Sequence, residues 1–214
     1  MAEHPDDLFL AEDSHQRIYG QRVTLSRFGI RVVGRSQRLR LNYRTTAQNL
    51  AYALSILDAG TYLDLEETPE THTDYRSARN GPPPRVLACA TLGAELDRAA
   101  DQIRAWLQDA PVPETIAVLV RDRRQRERLV AGLAERDVTV RAVDRDTIRP
   151  GAPVVMTMHR AKGTEFTHVL LFGVTRDAIP SSMRDQQYDD TAHADALLRE
   201  RSLLYVAATR ARDH

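Results

Sequence analysis

The chain has 214 residues, enough for one sizeable domain with its own core. Its 30 basic residues are matched by 30 acidic ones, which excludes a bulk-basic nucleic-acid binder and leaves room only for a local basic groove. No apolar run approaches the roughly 18 residues that span a bilayer, and the opening M-A-E-H-P-D-D lacks the basic-then-apolar order of a signal peptide. The single Cys89 excludes an intramolecular disulfide framework and fits a reducing, cytoplasmic setting. Its neighbours Val86, Leu87 and Ala88 predict a buried structural thiol. There is no internal repeat.

In chain order, Leu8 to Ala11 is a short apolar run that ends at Glu12-Asp13 and gives way to the loop Q-R-I-Y-G, residues 16 to 20. Residues 37 to 44 alternate Leu39 and Leu41 with Arg38 and Arg40, which predicts a strand with one buried face. Thr45 or Thr46 can cap the helix that follows, whose Leu50, Ala53, Leu54 and Leu57 at helical spacing should pack on the sheet. Residues 58 to 84 are polar and broken by Pro69, Gly81 and three consecutive prolines, as expected of a long surface loop. Regular alternation then resumes. Strands are predicted at Arg85–Ala90, Ile116–Val120 and Val138–Val143. Helices are predicted at Glu95–Leu107, with Leu96, Ala99, Ile103 and Leu107 on one face, and at Arg123–Glu135, with Leu129, Leu133 and Ala134 facing in. Strands alternating with helices argue for a parallel sheet covered on both faces. The mixed-charge run R-D-R-R-Q-R-E-R, residues 121 to 128, reads as a solvated helix face rather than a nucleic-acid patch.

The stretch from residue 153 to 173 organises the rest. Val154 to Met156 and Val169 to Phe172 are buried-strand runs, and between them His159, Lys162, Gly163 and Glu165 form a polar loop. Such a loop presents its side chains at one edge of a sheet, where α/β folds bind ligands. The last helix carries Leu197, Leu198, Leu204, Tyr205 and Ala208 on one face and ends in T-R-A-R. His193 and Asp195, like His4, His15 and His72, have no metal-ligand spacing, so no metal site is expected.

Four of these segments resemble, in order, the motifs of the superfamily-one DNA helicases of the UvrD, Rep and PcrA type. A-E-D-S-H-Q-R-I-Y-G is similar to motif III, G-D-x-x-Q-x-I-Y, with Glu12 in place of the usual Gly. L-N-Y-R-T-T is similar to motif IV, N-Y-R-[ST]. T-M-H-R-A-K-G-T-E-F is similar to motif V, T-x-H-x-A-K-G-x-E-F, and R-E-R-S-L-L-Y-V-A-A-T-R-A to motif VI. The resemblance implies an α/β, RecA-like parallel sheet with helices on both faces. It implies a motif III segment over residues 1–36 that closes a preceding domain, 1A, and a second motor domain, 2A, over residues 37–214 with its polar loop at about 58–84.

The same resemblance assigns roles. Gln16 reaches toward the terminal phosphate of ATP, Tyr43 stacks on adenine, Arg44 contacts the γ-phosphate and Arg210 is an arginine finger. Glu165 bonds the ribose hydroxyl or lies near the metal–nucleotide site, and Lys162 serves structure or phosphate. Tyr19, Arg22, Thr157 and His159 face DNA. Where the family commonly stacks a Trp on a base, this chain has Gln21, which removes a contact of about 1–3 kcal/mol. Only 115 positions separate Arg44 from His159, which leaves no room for the 2B domain of the better-known members. No G-x-x-x-x-G-K-[ST] and no D-E-x-x-D occurs, so the cradle for ATP and Mg²⁺ is expected on domain 1A of the same polypeptide. The implied partners are single-stranded or partly duplex DNA, with the family's usual 3′ to 5′ movement and no membrane. The competing expectation is an RNA-polymerase-associated factor or an inactive scaffold.

Overall fold

A computed structural model describes residues 9–19, 25–30, 37–58, 60–63, 69–71, 74–109, 112–175, 179 and 190–214. Its regular elements are β1 (Leu41–Thr46), α1 (Ala47–Leu57), β2 (Arg76–Arg79), α2 (Leu92–Asp109), β3 (Ile116–Val120), α3 (Arg123–Ala134), β4 (Arg141–Ala142), β5 (Val154–Thr157), β6 (His168–Leu171) and α4 (Asp190–Ala208). Four strands form one parallel sheet in the order β4-β5-β3-β6, and β1 pairs with β2, also parallel, in a separate two-stranded sheet. The fold is therefore α/β with parallel sheets, as the alternation of strand and helix patterns predicts.

β3 sits in the middle of the larger sheet, with Ala117 opposite Val154 of β5 and opposite Val169 of β6. All five of its residues are buried. Because side chains alternate between faces along a strand, Ala117 and Leu119 enter one core with Met156, Leu57, Ala53, Leu203 and Val206. Val118 and Val120 enter the other with Val155, Leu96, Ile103, Leu129 and Leu133. One face is thus covered by α1 and α4, the other by α2 and α3. A fully buried Leu or Val of this kind contributes about 1.5–3 kcal/mol, so the central strand is where the sheet is most firmly held.

Caps set where the helices begin. Thr46 accepts the Asn49 N–H at 3.3 Å at the start of α1. Asp122 accepts the Gln125 N–H at 2.8 Å at the start of α3. Beyond α4 the chain turns and runs beside the start of β6. The Phe166 N–H donates to the Arg210 carbonyl (3.0 Å), and Arg212 and His214 donate to the Phe166 and Thr167 carbonyls (2.8 and 2.9 Å). The same stretch meets the smaller sheet. Thr45 Oγ1 donates to the Ala211 carbonyl at 2.6 Å, and the Arg79 guanidinium pairs with the Asp213 carboxylate.

Several expectations are corrected. The strand at Arg85–Ala90 is absent: residues 81–89 have no regular structure, and Val86 is 77% exposed. Pro82, Pro83 and Pro84 lead into it without N–H donors, and no strand among the described residues pairs with it. Cys89 in that stretch is only half-buried. The strand before α1 starts at Leu41 rather than residue 37, and Leu39 is 88% exposed, so its alternation marks no core face. The expected loop over 58–84 contains β2, which the polar Arg-Ser-Ala-Arg sequence conceals. Val138–Val143 shortens to the two residues of β4, and Leu107 ends on the surface.

Candidate functional site

Three segments distant in sequence meet around the loop between β5 and β6. The first is the short 3₁₀ turn Ser14–Gln16. Asp13 caps it through the His15 N–H (3.1 Å) and also accepts from Gln16 Nε2 at 2.6 Å. Buried His15 pins this turn to the domain. Its ring lies edge-on to Tyr62 and Tyr205, with centroids 5.0 and 5.9 Å away, and Nε2 is 4.0 Å from the Glu70 carboxylate. Burial pushes the Tyr205 hydroxyl well above its ordinary pKa, so the phenol stays protonated.

The turn lies directly against the β5–β6 loop. The Tyr19 hydroxyl donates to the His159 carbonyl at 3.0 Å, and the two rings are 5.7 Å apart. Lys162 Nζ donates to the Gln16 carbonyl at 2.9 Å and stands 5.8 Å above the Tyr19 ring. Lys162 is therefore a structural tie between the two segments. Thr157, the last residue of β5, accepts the Arg160 N–H at 3.4 Å and helps shape the loop. Gly163 turns the loop at φ +87°, a conformation that favours glycine. Arg22 and Gln21 lie outside the described residues.

On the other side of the loop stands β1. Asn42 Oδ1 accepts the backbone N–H groups of Arg44 (2.7 Å) and Thr45 (3.2 Å), which fixes the backbone around Arg44. Tyr43 is 71% exposed, a free ring face at the surface. Arg44 Nε meets Glu165 Oε1 at 2.5 Å, and both side chains are about half exposed. Arg210 lies beneath and is only 2% exposed. Its Nε donates to the Val206 carbonyl (2.9 Å), Nη2 to Thr209 Oγ1 (3.1 Å) and Nη1 to the Thr164 carbonyl (3.3 Å). Burial first, and then the Arg44 charge, lower its pKa from the ordinary guanidinium value. Arg44, Glu165 and Arg210 therefore form one cluster, but Arg210 does not project from the surface beside Arg44.

A charge pair lies near the far end of the loop and corrects the reading of residues 121–128 as one solvated helix face, since Arg121 precedes α3 and is largely buried. Arg121 follows the last residue of β3 and grips Glu200 of α4 with two bonds, Nε to Oε2 at 2.9 Å and Nη2 to Oε1 at 2.5 Å. The side chains are 22% and 11% exposed. His159 lies beside the pair. Burial lowers its pKa, Arg121 lowers it further, and Glu200 opposes both. The only advance signal was an Arg directly after a strand buried along its whole length. Among the described residues no group of His, Cys, Asp and Glu side chains could hold a metal ion, and no helix is long and apolar enough to cross a membrane.

Residues 153–214 match the family model of the UvrD-like helicase C-terminal domain. The chain is similar to the candidate ATP-dependent DNA helicase YjcD of Bacillus subtilis (strain 168), 39% identical over 77 residues, or 35% of this chain. It spans only about a tenth, 10%, of that relative's length. Among solved structures it resembles the C-terminal domain of a possible DNA helicase from Lactobacillus plantarum WCFS1, with TM-score 0.56 and 22% identity over 80% of this chain and 83% of the other, a likeness of fold.

Proposed function

We propose, for a chain whose residues 153–214 match the model of the UvrD-like helicase C-terminal domain, that it is the second motor domain of an ATP-dependent DNA helicase. It would form one wall of a nucleotide cleft whose floor, with the phosphate cradle and Mg²⁺ ligands, belongs to the preceding domain of the same polypeptide. The observation that carries this is the convergence of Gln16, Arg44, Glu165 and Arg210 around one loop, from segments up to 194 positions apart.

The chemistry follows from charge. In phosphoryl transfer the negative charge on the γ-phosphate must be met by cations placed beforehand. Arg44, half exposed at a sheet edge, offers a planar, permanently charged fork for a phosphate oxygen. Tyr43 offers an open ring on which adenine could stack. Arg210 serves the same phosphate once the cleft closes and the Thr164 carbonyl releases it. Such a finger contributes on the order of 10³–10⁵ in rate. Thr157 and His159, at the other end of the same loop, and Tyr19, which is bonded to it, would touch the DNA strand, so closure around nucleotide and grip on DNA share one piece of backbone. Movement 3′ to 5′ is the expected polarity.

The burial of Arg210, with each bonded guanidinium nitrogen satisfied within the domain, is the observation that favours the alternative, a helicase fold used as a scaffold. One measurement separates them. In the full-length polypeptide, Arg210→Ala should abolish DNA-stimulated ATP hydrolysis and spare nucleotide binding. Turnover equal to wild type would remove the finger role, and a wild type that shows no DNA-stimulated hydrolysis would leave the scaffold. The 214-residue chain alone should hydrolyse no ATP, and metal-dependent turnover by the pure chain would contradict the division of labour between domains.

A further inference from the structure

The turn Thr164–Glu165 holds both guanidiniums of the site at once. Glu165 Oε1 receives Arg44 Nε at 2.5 Å, and the Thr164 carbonyl receives Arg210 Nη1 at 3.3 Å. The other two bonds of Arg210 go to Val206 and Thr209, residues of its own chain segment. Two like charges therefore stand close enough for Arg44 to lower the Arg210 pKa, and the nearest carboxylate that offsets them is Glu165, with Asp13 contributing less. A carboxylate on a guanidinium fork has the geometry and sign of a phosphate oxygen on the same fork. The Arg44–Glu165 pair is half exposed, so breaking it costs little. Gly163, immediately before the turn, sits at φ +87° with open space where a Cβ would stand, and Thr164 ties the turn to the Ala161 carbonyl through its N–H (3.0 Å) and its hydroxyl (2.7 Å).

We propose that Glu165 is the resident counter-ion of the phosphate-binding arginines: its carboxylate occupies the place on Arg44 that a terminal phosphate oxygen would take, and an incoming polyphosphate exchanges for it. This rests on the nucleotide-cleft reading above, and it gives Glu165 a part distinct from contact with ribose. The exchange is one anion for another at a fixed cation, with no bond made or broken. It favours a polyphosphate, whose several charges outcompete one carboxylate, over a monoanion.

The test uses the 214-residue chain and inorganic tripolyphosphate, which has no ribose. Binding is followed by calorimetry and by the ¹H–¹⁵N resonance of the Arg44 Nε–H. Glu165→Gln should bind tripolyphosphate about two- to fivefold more tightly than wild type, the size expected when a partly exposed ion pair no longer competes. In Glu165→Gln, which lacks the carboxylate, tripolyphosphate should return the Arg44 Nε–H resonance toward its wild-type position, because a phosphate oxygen then accepts the bond that the carboxylate held. Arg44→Gln should lose most of the binding. If Glu165→Gln leaves tripolyphosphate affinity unchanged or weakens it while Arg44→Gln still loses binding, the counter-ion role is overturned and the phosphate reading of Arg44 survives. If Arg44→Gln binds as wild type does, or if neither wild type nor Glu165→Gln binds at all, the phosphate reading of Arg44 falls too. Should Glu165→Gln fail to fold, Glu165→Asp, one methylene shorter, must shift affinity in the same direction.

Discussion

Removing Glu200 tests whether the bidentate pair at the end of β3 matters as much as its burial implies. Its two bonds, at 2.9 and 2.5 Å, join a strand end to a helix that begins 69 positions later in the chain. With side chains 22% and 11% exposed, the pair is closer to a buried ion pair than to a surface one. Surface pairs are worth about 0–1 kcal/mol. Deleting one partner of a fully buried pair costs about 3–5 kcal/mol, because the surviving charge is left without a partner. Glu200→Gln keeps the shape and one acceptor, so the expected loss is about 2–3 kcal/mol, between those limits. For a domain of this size that lowers Tm by roughly 5–10 °C. The comparison is Arg44→Gln, which breaks a half-exposed pair and should cost less than about 1 kcal/mol. Thermal and urea unfolding, followed by circular dichroism, give both values. A double-mutant cycle with Arg121→Gln should return a coupling above about 1 kcal/mol. A coupling near zero, or equal losses for Glu200→Gln and Arg44→Gln, would refute the argument from burial.

Gly163→Ala places a side chain at φ +87° with no neighbour to clash against. It should cost about 1 kcal/mol of unfolding free energy through backbone strain alone, and a value within error of zero would show that the loop relaxes. Gly132→Ala in α3 sets helix propensity against packing: a Cβ there would lie 2.6 Å from Leu96 Cδ1 and 3.2 Å from Leu96 Cγ. Alanine gains about 1 kcal/mol in a helix interior, but overpacking costs about 1–3 kcal/mol. Net destabilisation in a urea titration is expected, and a stabilised variant would mean that Leu96 moves aside freely. His159 and His168 both have pKa values below the ordinary 6.5, burial being the first cause for each. The unfolded chain therefore takes up protons first as pH falls. The stability that these groups allow is present above pH 6.5, is lost as pH drops through that value, and levels off below the folded-state pKa. Replacing both with Asn should flatten unfolding free energy against pH between about pH 7 and pH 5, and an unchanged slope would sink the prediction.

Much of this arrangement could be read beforehand where chemistry demands particular residue types at short spacing. N-Y-R-T-T at a strand-to-helix junction, the polar loop after Val154–Met156 and the Thr46 cap are local patterns, and the fold sets them side by side. Ile116–Val120 matched because a strand buried on both faces must be continuously apolar. β2 was missed because Arg-Ser-Ala-Arg pairs only with β1 and buries no full face, so neither apolar alternation nor an apolar run marks it. Arg85–Ala90 misled for the opposite reason, since its apolar residues stay exposed without a strand to join. Arg121 with Glu200, and His15 with Tyr62 and Tyr205, are pairings across many positions. Only the folded chain brings them together.

The stretch just past α4 has a mechanical consequence. Residues 210–214 hydrogen-bond to the start of β6 on one flank and to Thr45 and Arg79 on the other. The spacing between Arg44 on the smaller sheet and the loop leading into β6 is thus gauged by a handful of peptide units. Lengthening the chain near residue 70 should leave that gauge untouched. One extra residue between Thr209 and Asp213 would throw the two sheets out of step, and the pair of cations with them.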